Sequence, residues 1–107
     1  MIELAKFELH YNNLQAQLDA DLILINAFLN KKTLLSFNVT HDDEYIFLFY
    51  ENTVPASKVT IDAVKAKSVS YDETKIQGVV TKLTGKALAK DVGFPVVREG
   101  TVIYAYR

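Results

Sequence analysis

His10 and His41 are the chain's only imidazoles, and there is no cysteine. Without a thiol there is no disulfide scaffold, no thiolate zinc site and no thiol nucleophile. His41 opens the run His41-Asp42-Asp43-Glu44, four metal-ligating side chains in one turn. Neighbours along a chain do not converge on one ion unaided. A calcium loop needs acids at alternating positions followed by glycine, a pattern missing here. If the strands that carry them pair, His10 joins His41 in a two-histidine, carboxylate-rich site, as in a small metal-dependent hydrolase. The simpler expectation is a solvated turn and an exposed strand histidine, with no metal, no cofactor and no enzymatic activity.

Other catalytic patterns fail on spacing. Gly85-Lys86 invites a phosphate-loop reading, but six residues separate Gly78 from Gly85 where that loop has four. Ala87 also stands where a magnesium-binding hydroxyl would be. No Gly-x-Ser-x-Gly elbow occurs. The pairs Asp19/Asp21 and Asp42/Asp43 read as solvated charges, with nothing to bury them and raise a pKa for acid–base work. Asn38-Val39-Thr40 matches a glycosylation acceptor, read as chance without a secretory signal.

Two surfaces survive this screening. Glu44 to Glu51 is apolar on both faces, with Tyr45, Phe47 and Phe49 on one and Ile46, Leu48 and Tyr50 on the other. Helices on one side of a sheet would leave one of these rows bare, and monomers seldom expose such a patch. Tyrosines suit desolvated contacts with a polar edge, so Tyr45, Phe47, Phe49, Tyr50, Tyr104 and Tyr106 form the expected interaction surface. The second feature is Lys75, Lys82, Lys86 and Lys90, which fall within about 80° of one another on a continuous helix. Such lysines lay their stems along a core's rim. With Arg98, they are also the candidate phosphate contacts of a single-stranded nucleic-acid-binding domain that stacks bases on the aromatic strand. RNA-recognition domains work this way, but their basic residue and glycine are missing before this strand, and Asp42, Asp43, Glu44 and Glu51 flank it. A pI near 6.1 also weighs against phosphate binding. The run from Lys86 to Pro95 is similar to the first half of a helix-turn-helix, but Pro95-Val96-Val97 takes the place of a recognition helix.

The elements that position these residues follow from periodicity. The 107 residues suit a single domain over 1–107. No apolar run approaches the ~20 residues of a membrane span. Met1-Ile2-Glu3-Leu4 lacks the basic region and apolar stretch of a signal peptide, so a cytoplasmic protein (or one working in a virus-infected cell or particle) is expected. Charge is polarised: residues 1–53 hold three lysines against eight acids, and residues 54–107 nine cations against five. Residues 5–11 alternate as a strand, with Ala5, Phe7, Leu9 and Tyr11 on one face. Asn12 or Asn13 is the expected helix cap, with Gln15 completing a capping box. Leu14, Leu18, Leu22, Ile25 and Leu29, widened by Phe28 and Leu24, form a helical stripe ending at Asn30-Lys31-Lys32.

Strands are expected at 33–40 and 44–51 around the turn at His41, then near 58–64 and 68–71. A helix through 58–71, capped by Ser57, competes with these last two. A second helix begins at Ser70 or Asp72 and buries Ile76, Val79, Val80 and Leu83. A short turn over 86–92 ends at Gly93, and a hairpin turns at Arg98-Glu99-Gly100.

The resulting fold class is α+β: a mainly antiparallel sheet of 5–7 strands with two helices on one face, in the order β-α-β-β-(β-β)-α-β-β. Without its middle insertion and final hairpin, this element order resembles the split βαβ arrangement of ferredoxin-like domains, which implies no activity. The expected function is non-enzymatic protein interaction or assembly through a sheet face, with itself or another protein as partner. Nucleic-acid binding and metal-dependent hydrolysis are the alternatives, and no membrane partner is expected.

Overall fold

The computed structural model describes residues 1–65 and 85–107. Among them are β1 (Glu3–Glu8), α1 (Gln15–Leu29), β2 (Thr33–Val39), β3 (Tyr45–Glu51), β4 (Thr60–Lys65), β5 (Val96–Arg98) and β6 (Thr101–Tyr106). The α+β class and the six strands match expectation. The expected strand at 68–71 and the second helix lie outside the described residues. β1 starts and ends earlier than the alternation over 5–11 implies, because the chain turns after Glu8. Tyr11 N–H donates to Leu9 C=O at 2.9 Å and Asn13 N–H to His10 C=O at 3.1 Å.

One sheet was expected, and two are found, ordered β1-β3-β2 and β4-β6-β5, with all neighbours antiparallel. The first contains the split βαβ unit. β1 and β2 both run antiparallel to β3, so they are parallel to each other across it, with α1 as their connection. The single-sheet expectation fails after residue 52, where a loop containing Pro55 separates β3 from β4 and β4 takes β6 as its neighbour.

The helix stripe is borne out at Leu18, Leu22, Ile25 and Leu29, all buried, while Leu14 and Leu24 are exposed. Phe28 closes the stripe against the first sheet, edge-on to Phe7 at 5.1 Å and to Tyr50 at 5.0 Å. The capping box does not form. Leu14 is the N-cap and offers no side-chain hydrogen bond. Gln15 instead turns to β4: its Nε2 donates to Ala63 C=O at 3.2 Å and its Oε1 accepts from Lys65 N–H at 2.9 Å. Asn26, three turns along the same side of the helix, does likewise with both backbone groups of Ile61, each at 2.9 Å. Asp62 Oδ1 takes Ala63 N–H at 2.8 Å. The outer edge of β4 is therefore satisfied by side chains, which prevents it from templating another strand.

One core joins the layers: α1 with Leu9, Leu34, Val39, Ile46 and Leu48 from the first sheet side, and Ile61, Ala63, Ile103 and Ala105 from the second. Fully buried Tyr11 ties them together. Its hydroxyl lies 2.5 Å from the carbonyl oxygens of both Thr40 and His41, which share its one proton. Its own carbonyl accepts from the buried Thr101 hydroxyl and from Lys65 Nζ. The expected final turn is a two-residue hairpin loop with Glu99 at φ 47° and Gly100 at φ 73°, the left-handed pair of a type I′ turn.

Candidate interaction surface

Alternation decides what each side of the first sheet presents. On β3, Ile46 and Leu48 are fully buried, and Tyr50 leans inward on Phe28. Tyr45, Phe47 and Phe49 point to the other side, with Phe49 37% exposed and the other two half-buried. The register sets their neighbours. Leu4 and Ser36 flank Phe49, Lys6 and Asn38 flank Phe47, and Glu8 lies beside Tyr45. Lys6 Nζ lies over the Tyr45 ring, 4.5 Å from its centroid. Leu4, 56% exposed, extends the apolar row by one strand. The alternation read from Ala5 onward omitted Leu4, although Leu4, Lys6 and Glu8 share a parity. Starting that pattern two residues earlier would have found it.

The other expected contact residues are dispersed. Tyr104 is 0% exposed, so it adds nothing to a contact surface. Its hydroxyl donates to Asp62 Oδ2 at 2.9 Å, and burial together with that carboxylate holds its pKa far above the ordinary tyrosine value. Tyr106 is half-buried with the ammonium of Lys86 over its ring, 3.7 Å from the centroid.

Only two lysines of the expected stripe, Lys86 and Lys90, are among the described residues. Lys75 and Lys82 lie outside the described residues, and Lys90 is exposed. Lys86 reaches Asp62 Oδ2 at 3.5 Å. Burial disfavours its charge, but Tyr106 and Asp62 more than offset this and raise its pKa. Arg98 donates to Val97 C=O at 3.1 Å, and its Nε is buried without a hydrogen-bond partner.

The two histidines have different carboxylate partners. His10 Nδ1 lies 2.7 Å from Asp21 Oδ2, which also accepts the His10 backbone N–H at 2.8 Å. The Asp21 hydrogen bond raises the His10 pKa against the opposing effect of burial, with help from the charges of Asp21, Glu8 and Glu44. His41 faces Glu99 at 4.0 Å. Among the described residues no group of three His, Cys, Asp or Glu side chains is arranged to hold a metal. A recess of about 160 Å³ lies at the end of β1, lined by Glu8, His10, Asp43, Glu44 and Tyr45. No helix among the described residues is long and apolar enough to cross a membrane. No family model, curated protein or solved structure matches the chain.

Proposed function

We propose that this chain is a non-enzymatic assembly domain that self-associates through the outer face of β1-β3-β2. The observation that carries the reading is the row Tyr45, Phe47 and Phe49, continued by Leu4, on the side of the sheet turned away from α1. Self-pairing about a two-fold axis needs a patch complementary to itself. Lys6 and Glu8, two residues apart on this face, supply one charge of each sign beside the aromatics. The face is small: three strands ~4.8 Å apart and ~20 Å long make a plate of roughly 300 Å². Stable complexes bury ~800 Å² per partner, so association in the micromolar range is expected.

Sedimentation or light scattering across a concentration series tests this. The expected outcome is a dimer that forms in the tens of micromolar range and is lost in Phe49→Glu and Leu4→Glu, both surface substitutions that leave the circular dichroism spectrum unchanged. A strict monomer at high micromolar concentration would sink the proposal. The nucleic-acid alternative has less support, since Lys86 is engaged by Asp62 and Tyr106 and acids line the end of the aromatic row. It predicts salt-sensitive binding to single strands that weakens in Lys90→Glu.

A further inference from the structure

We infer that the outer edge of β1, beside which no strand lies among the described residues, accepts an extended peptide segment as a fourth strand, with a lysine or arginine of that segment facing Glu8. This goes beyond self-association through the sheet face and does not depend on it.

Sheet edges are templates for strand addition unless something blocks them. Among the described residues, three of the four edges are blocked. That of β4 is occupied by Gln15, Asn26 and Asp62. That of β2 is broken by a register shift between Leu34 and Ser36. β5 is only three residues long.

β1 is different. Its six residues pair with β3 in unbroken register. Leu9 N–H donates to Glu44 C=O at 2.8 Å, so Leu9, Phe7 and Ala5 point their backbone groups at β3. By alternation, those of Leu4, Lys6 and Glu8 point outward. The next outward amide, that of His10, is taken by Asp21, which sets the end of the open edge. Lysine at mid-edge is a common guard against strand addition. Here the Lys6 ammonium lies back over Tyr45 on its own sheet instead of standing guard at the edge.

Charge selects the occupant. Every residue of the first sheet comes from the half of the chain with eight acids and three lysines. At the end of β1 the acids Glu8, Asp43 and Glu44 outnumber His10, whose Nε2 lies 3.8 Å from Glu8 Oε2, around the recess. A residue paired with Glu8 on an added strand has its Cβ ~5 Å from that of Glu8 and on the same face. A cation there meets the recess, while a neutral residue suits the position opposite Lys6.

The probe is a short labelled peptide of alternating threonine and valine with one arginine near its end. Binding is followed by fluorescence anisotropy and by backbone amide shifts of the protein. The expected result is saturable binding with shifts centred on Leu4, Lys6 and Glu8. Binding should fall ~10-fold or more when alternate peptide nitrogens are methylated, because the backbone bonds are removed at unchanged charge. Exchanging the arginine for glutamine should weaken binding several-fold to wild type and hardly at all to Glu8→Gln, the signature of a direct pair. Lys6→Pro, which removes one outward donor at a position where an edge strand tolerates proline, should weaken binding of every peptide. Equal binding of the methylated peptide, shifts centred elsewhere, or no binding at ~1 mM, the weak end of specific association, would overturn the inference. So would a Lys6→Pro variant that keeps full affinity for the peptide. Phe49→Glu, which tests the sheet face, should leave peptide binding intact.

Discussion

Asp21 receives both the ring and the backbone amide of His10, and its side chain is only 13% exposed, so this contact pins the end of β1 to α1. The His10 pKa is raised above its ordinary 6.5, so protonated histidine is favoured in the folded chain. The stabilisation is therefore complete below about pH 6.5 and is lost as pH rises through the higher folded value. Urea unfolding at a series of pH values should show stability declining across that window. In Asp21→Asn the decline should flatten, because the carboxylate that favours the imidazolium is gone. The chemistry of His10 was visible in the sequence, but its partner was not. Asp21 is eleven residues away, and only the tight turn over Leu9 to Asn13 brings helix and strand ends together. Glu99 offers a second test at this scale. It holds a φ of 47° in a type I′ turn, where asparagine is easier to accommodate. Glu99→Asn should stabilise the chain by about 0.5 kcal/mol, seen as a raised denaturation midpoint.

The helix and the strand beside it show which kinds of pattern can be read at the level of elements. Leu18, Leu22, Ile25 and Leu29 announce a buried stripe because apolar burial repeats with the helical turn. Gln15 and Asn26 carry no such signal. A single amide off the stripe looks like any solvated residue, and Gln15 also fits a capping box. Their roles depend on β4 lying alongside, which is a matter of tertiary structure. Asn26 satisfies two backbone groups of Ile61, so Asn26→Ala should cost roughly 2 kcal/mol in chemical denaturation. Asn26→Asp should cost more, because a carboxylate would face the Ile61 carbonyl without a donor. Either variant also bares part of the β4 edge and should aggregate sooner on heating, measured by turbidity.

At the scale of the whole molecule, the alternation of β3 showed that one aromatic row would be left outside, and the register shows which. How the strands divide into two sheets was not legible, because pairing of β4 with β6 depends on residues far apart in the chain rather than on a local period. Tyr104 illustrates the consequence. Read as a surface tyrosine, it is fully buried on the middle strand, where burial and the Asp62 carboxylate disfavour its ionisation. A phenol whose folded pKa lies above its ordinary 10 stabilises the fold below that pH, and the benefit fades as pH rises beyond it. In an alkaline titration, tyrosinate absorbance from Tyr104 should appear only as tertiary structure is lost. In Tyr104→Phe that coupled component should vanish.

The position of β6 also bears on synthesis. β4 and β5 both depend on Thr101–Tyr106 for their backbone partners. A nascent chain that has emerged only as far as β5 can assemble the first sheet and α1, but the second sheet has no centre. Until the ribosome releases those residues, Gln15 and Asn26 can hold β4 on one side only. Folding should therefore proceed in two stages during synthesis, with the later one waiting until Thr101–Tyr106 have emerged.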